Sequence, residues 1–132
     1  MNILVIDGMG GGIGKAIIEY IKGEFIDAEI TAAGTNSTAT SAMLKAGANY
    51  GATGENAVVY NCARADYIIG VMGIVIANSM RGEISPRIAE AISTSPAHKI
   101  LIPIDKCNVT VLGVVERPIR EIIKSIGESL NK

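Results

Sequence analysis

The opening fifteen residues restrict the fold more than any other part of the chain. Asn2–Asp7 (NILVID) is apolar at nearly every position, Gly8, Gly10, Gly11, Gly12 and Gly14 follow in close succession, and Ile13, Ala16, Ile17, Tyr20 and Ile21 then recur at helical spacing. An almost unbroken apolar run suits a central parallel strand covered on both faces. The glycines let the backbone take positive φ and come close to a ligand. The helix behind them presents free N–H groups and the positive end of its dipole. A strand, a glycine turn and a helix in this order form a cradle for a phosphate group, so a nucleotide or dinucleotide is the expected ligand.

Strand and helix signals alternate along the rest of the chain. Gly23 is expected to end the first helix, and Glu29–Ala33 reads as the second strand. Asn36 or Ser37 caps a helix carrying Ala39, Met43, Leu44 and Ala46 that stops at Gly47. Ala48–Ala52 reads as a short third strand, and Thr53 as the cap of a helix bearing Val58, Val59, Cys62 and Ala65. Tyr67–Met72 is the fourth strand, with Gly70 and Gly73 at its exit; Ile74–Gly82 is either a helical turn or a loop over the site. Ser85-Pro86 opens the next helix in cap-then-proline order, with Ile88, Ala89 and Ile92 facing inward.

Lys99–Ile104 reads as the fifth strand and Val109–Val114 as a sixth. The link Asp105-Lys106-Cys107-Asn108 is too short for a crossover helix, which implies an antiparallel hairpin at one edge. Pro118 opens a last helix with an inward stripe of Ile119, Ile122, Ile123, Ile126 and Leu130. The expected fold is α/β: a doubly wound, mostly parallel Rossmann-like sheet with helices on both faces and an antiparallel edge hairpin, forming one domain over residues 1–132. Ligands of such sheets sit at the carboxyl ends of the strands.

Composition narrows the partners. A chain of 132 residues, 48% of them hydrophobic, has room for a single core, and its net charge of −1 provides no broad basic field for nucleic acid. No apolar stretch reaches the roughly 20 residues of a membrane-spanning helix, and Met1–Ile6 has neither the basic leader nor the apolar length of a signal peptide. Cys62 and Cys107 read as free thiols, and one histidine, His98, without a Cys-x-x-Cys pair rules out the common zinc spacings. The expected setting is the cytoplasm. Association through the Pro118–Leu130 helix or the exposed hairpin edge would give a homo-oligomer.

The spacing of the glycines is more informative than their number. Ile13 and Lys15 break both registers of the dinucleotide fingerprint G-x-G-x-x-G. Gly8-x-x-x-Gly12-Ile13-Gly14 instead resembles the turn of the short-chain dehydrogenases, a resemblance that implies an NAD(P) diphosphate on Gly8, Gly10, Gly11, Gly12, Ile13 and Gly14. Asp7 stands where that family has Thr or Ser. A carboxylate facing a diphosphate is repulsive, so Asp7 is expected to bond backbone amides of its own turn. NAD-selective domains place an acid after the second strand, whereas this chain has Thr35, Asn36 and Ser37. Hydroxyls and amides there can hold a 2′-phosphate, which favours NADP over NAD; a plain helix cap accounts for the same residues. In this class of fold Gly70, Met72 and Gly73 are expected across the cleft from the first turn, where glycine would let a ribose or base approach the backbone; a simple turn accounts for them equally.

Gly11–Lys15 also resembles the deviant Walker A motif of ParA/MinD-type ATPases, with Gly10 for the first lysine and Ala16 for the threonine that holds Mg²⁺. Those two replacements argue against hydrolysis. The Tyr-x-x-x-Lys pair of the dehydrogenases is also missing: Tyr60 is followed at that spacing by Arg64, on a helix before the fourth strand. Asn78, Ser79, Arg81 and Glu83 gather unlike polar chemistry in a short span, and Arg81 with Arg87 is a candidate anion pair. A solvated loop is the plainer reading of that span. Cys107 has no evident base, because His98 belongs to the opposite end of the fifth strand.

Taken whole, the sequence resembles a family of small bacterial proteins of unknown function. The likeness rests on D-G-x-G-G-G-I-G, G-T-N-S-x-A-T, I-I-G-x-x-G-I, G-E-I-S-P and I-L-I-P-x-x-K-C-N. It implies a Rossmann-like fold and brings no established activity. The expected function is nucleotide binding, NAD(P) first, without catalysis or with weak catalysis. The alternatives are a small nucleotide-dependent, oxidoreductase-like enzyme and an interaction module with a vestigial turn.

Overall fold

Six strand residues with five buried in succession make Asn2–Asp7 (β1) the centre of a sheet. The computed structural model describes residues 1–104 and 107–130. β1 is followed by α1 (Gly12–Glu24), β2 (Glu29–Gly34), α2 (Ser37–Lys45), β3 (Tyr50–Thr53), α3 (Glu55–Cys62) and β4 (Tyr67–Val71). A short 3₁₀ turn at Met72–Val75, α4 (Pro86–Thr94), β5 (His98–Ile102), α5 (Ile119–Lys124) and α6 (Ile126–Leu130) complete the order. The five strands lie in the order β3-β2-β1-β4-β5, and every pairing is parallel. The chain therefore moves outward from β1 on one side and returns to pair β4 with β1 on the other. The carboxyl ends of β1, β2 and β4 meet at this reversal, the place where open α/β sheets form their ligand crevice.

Alternation along the strands divides the core into two layers. Ile3, Val5, Ile30 and Ile69 face Ile17, Ile18 and Ile21 of α1, Met43 of α2, and Ile123, Ile126 and Leu130 of α5 and α6. Leu4, Ile6 and Ile68 face Val58 and Cys62 of α3 and Ile88 and Ile92 of α4. Each fully buried isoleucine contributes about 1.5–3 kcal/mol of apolar transfer, which is why these stripes outweigh local propensity.

Several boundaries differ from the sequence reading. Gly23 lies inside α1, which runs on until the Phe25 N–H meets the Ile21 carbonyl. A mid-helix glycine costs only about 1 kcal/mol, less than the burial of the isoleucines beside it. Thr53 is the last residue of β3, paired with Gly34, and its hydroxyl lies 2.8 Å from that of Thr40. The cap position of α3 falls instead to Gly54, at φ 103°. The last helix is broken at Ser125, whose N–H bonds the carbonyls of Ile122 and Ile123 and tightens the turn between α5 and α6.

The antiparallel edge hairpin does not form. Residues 109–114 contain no strand, and β5 pairs only with β4 among the described residues. The apolar alternation of that segment has no surface to cover: Leu112 is 90% and Val115 75% exposed, and Gly113 turns the chain at φ 86°. Of the proposed link, Asp105 and Lys106 lie outside the described residues.

Candidate functional site

The turn after β1 is tied down from within by Asp7. Its Oδ1 accepts the Gly8 N–H at 2.8 Å and its Oδ2 accepts the Gly14 N–H at 2.6 Å. One carboxylate thus joins the exit of β1 to the first turn of α1, as the sequence suggested. Gly11, the cap of α1, takes φ 76°, and a Cβ there would stand 2.8 Å from the Ala39 Cα. A Cβ on Gly14 would stand 2.6 Å from Met43 Sδ and 3.0 Å from Asp7 itself. These two glycines serve packing between α1, α2 and β1.

Gly10 and Gly12 differ from them. A Cβ built on either meets nothing within 4 Å, so the outward side of the turn is open. The N–H groups of Gly10, Gly12 and Ile13 receive no partner from the described residues, whereas that of Gly11 donates to the Gly8 carbonyl at 3.0 Å. Ile13 is half-buried and packs against both core layers, which fixes the start of α1 over the sheet.

Gly8 is covered by the loop between β4 and α4. A Cβ on Gly8 would meet Thr35 Oγ1 at 2.6 Å, Glu83 Oε1 at 2.7 Å and Met80 Sδ at 2.9 Å. Glu83 Oε1 accepts three hydrogen bonds: from the Met9 N–H at 2.9 Å, from the Thr35 hydroxyl at 2.5 Å and from Asn36 Nδ2 at 3.1 Å. Its Oε2 has no partner among the described residues. These donors, the Thr35 hydroxyl foremost, hold the Glu83 carboxyl below the ordinary glutamate value, against a smaller opposing effect of burial. Asn36 joins the pieces: Oδ1 caps α2 through the Ala39 N–H and Nδ2 also reaches the Met9 carbonyl.

Of the residues singled out in the sequence, Gly8, Thr35 and Asn36 thus come together around Glu83. Ser37 begins α2 and is exposed. On the β4 side, Gly70 is buried beneath Ile74, with the Ile6 carbonyl 2.8 Å from where its Cβ would be. Gly73 is buried and its carbonyl accepts the Ser79 hydroxyl; Met72 is half-buried at the start of the 3₁₀ turn. Arg87 pairs with Glu55 at 3.5 Å across α3 and α4, and Arg81 is exposed.

Arg64 stacks 3.6 Å over the Tyr60 ring, away from the turn. Cys62 is buried, which pushes its thiol up to about 11 against a downward pull from Lys99, while Cys107 is exposed. No group of three or more His, Cys, Asp or Glu residues suited to a metal occurs among the described residues, and none of their helices is long and apolar enough to cross a membrane.

The sequence matches, over residues 2–132, a family described as a domain of unknown function. The chain belongs to the DUF3842 family. No curated protein matches the DUF3842 chain in sequence. Among solved structures it is similar to a dodecameric FMN-dependent UbiX-like decarboxylase from Escherichia coli O157:H7, with TM-score 0.50 and 13% identity, covering 99% of this chain and 76% of that one. A saccharopine dehydrogenase (L-Glu forming) from Saccharomyces cerevisiae gives TM-score 0.48 at 13% identity, over 80% of this chain and 23% of that one. At 13% identity the likeness to the decarboxylase concerns the fold: the DUF3842 chain is α/β with a Rossmann-like parallel sheet.

Proposed function

We propose that this DUF3842 protein binds a nucleotide, gripping a phosphate at the amino end of α1. The supporting observation is that the amides of Gly10, Gly12 and Ile13 have no partner among the described residues, beside the open sides of Gly10 and Gly12. Amides directed outward at a helix start, together with the positive end of its dipole, favour an anion. Asp7 holds the turn in shape without a ligand, so little ordering entropy opposes binding. The same carboxylate places a negative charge under the turn, so the grip relies on amide geometry more than on net charge.

The ligand class is NAD(P) or a mononucleotide. A dinucleotide that reaches the end of β2 meets the Glu83 carboxylate, because Thr35 and Asn36 already donate to it. This weighs against the NADP preference read from the sequence while Glu83 stays in place. A mononucleotide phosphate needs only the open amides, and FMN, named for the decarboxylase of similar fold, is of that kind. Arg64 stacks on the Tyr60 ring, so these two residues are engaged with each other. The proposed reading is a nucleotide-binding protein, non-catalytic or weakly catalytic.

Calorimetric and thermal-shift titrations with FMN, NAD(H), NADP(H) and ATP test the proposal, on the wild type and on Gly12→Asp. An aspartate has room at this position and suits a helix start by about 0.3–1 kcal/mol, so the fold persists while the phosphate is repelled. At least one ligand should raise the wild-type Tm and lose at least tenfold in affinity with Gly12→Asp. No binding by any of the four, or equal binding by the variant, refutes it.

A further inference from the structure

Three donors from two separate chain segments converge on one oxygen. The Met9 N–H comes from the turn after β1, and the Thr35 hydroxyl and Asn36 Nδ2 come from the end of β2; all bond Glu83 Oε1. Neutral dipoles directed at a single point are a general way to hold an oxyanion. None of the donors is charged, and Glu83 has no Lys or Arg ion pair among the described residues. Nothing in the arrangement is therefore specific to a glutamate. Gly8 provides the floor, since any Cβ there would fill the seat.

Glu83 also reaches this seat from a loop that is anchored elsewhere. The Ser79 hydroxyl bonds the Gly73 carbonyl, the Asn78 N–H bonds the Ile84 carbonyl at 2.7 Å, and Ile84 is fully buried. Between these anchors Met80, Arg81 and Gly82 all have positive φ, at 55°, 56° and 88°. The first two cost roughly 1–2 kcal/mol each in a left-handed conformation, so the tip is held against local strain. Glu83 and Met80 are the loop side chains that stand over Gly8, while the bonds of Asn78 and Ser79 and the buried Ile84 hold the base of the loop.

We propose that the Met9 N–H, Thr35 and Asn36 form a second oxyanion subsite in which the Glu83 carboxylate is an internal stand-in, exchanged for a phosphate or carboxylate of the ligand. Where the ligand spans both places, the inference rests on the phosphate reading of the Gly10–Ile13 amides, and it implies a molecule with two anionic groups. A glutamate is ionised at neutral pH, and the lowered pKa of Glu83 extends that charge into more acidic solution.

The test is a titration of the full chain with sodium phosphate, followed through the backbone amide resonance of Met9 and the side-chain amide of Asn36. In Glu83→Ala these signals should shift saturably, with a Kd at least tenfold below that of the wild type. Glu83→Gln keeps an acceptor for the same donors without the charge, guards against loss of the loop, and should fall between the two. Unresponsive Met9 and Asn36 signals in Glu83→Ala, or a Glu83→Gln response identical to wild type, overturn the proposal. The Gly10, Gly12 and Ile13 amides report separately, so silence there counts against the nucleotide reading alone.

Discussion

Gly11 and Gly12 are adjacent in the sequence, yet alanine should act on them in opposite directions. At Gly11 the backbone takes φ 76°, which costs a non-glycine residue about 1–2 kcal/mol. The new Cβ would also stand 2.8 Å from Ala39 Cα and 2.9 Å from the Ala39 carbonyl oxygen, and backbone atoms of α2 cannot swing aside. Overpacking of this kind adds about 1–3 kcal/mol, so Gly11→Ala should destabilise by about 2–5 kcal/mol. That is a large share of the roughly 5–15 kcal/mol available to a domain. Gly12 has no such φ and no neighbour within 4 Å of its Cβ position. As the first residue of α1 it gains helix propensity, so Gly12→Ala should leave stability unchanged or raise it by up to about 1 kcal/mol. Urea unfolding at constant m, with thermal melts in parallel, measures both. At roughly 3–6 °C per kcal/mol, Gly11→Ala should lose at least about 6 °C. A Gly11→Ala variant within about 0.5 kcal/mol of wild type, or a Gly12→Ala variant destabilised by more than about 1 kcal/mol, refutes this account of the turn.

Three further outcomes are expected. Asn36→Ala removes the α2 cap and two contacts with the turn and loop, and should cost about 1–2 kcal/mol in urea unfolding; a loss under about 0.5 kcal/mol contradicts the cap. Glu83 has a folded pKa below its unfolded one, so its contribution is complete above the ordinary glutamate value and disappears as the pH falls through the depressed one. Urea midpoints should accordingly fall more steeply with acid in the wild type than in Glu83→Gln, and equal slopes speak against a stabilising role for the three bonds to the Glu83 carboxylate. Native-state thiol labelling at pH 8 should modify the exposed Cys107 and spare Cys62, whose thiol is buried and raised to about 11; equal rates at both would show that the face under α3 and α4 opens readily.

What the sequence by itself determined was local. The β1–turn–α1 unit, the bonds of Asp7 to its own turn, the cap at Asn36 and the Ser85-Pro86 helix start all depend on residues within a few positions of one another. The parallel sheet followed from strand and helix in alternation. The same reasoning failed at Val109–Val114, because alternation indicates which residues could share a face and not whether a face exists to receive them. Glu83 was visible only as one member of a polar run. It meets Thr35 across 48 residues and Met9 across 74, contacts made possible by β4 lying against β1 and bringing the β4–α4 loop over Gly8. Short-range stereochemistry placed the glycine turn in the sequence; the order of strands in the folded sheet decided which half of it stays open and which half carries a carboxylate.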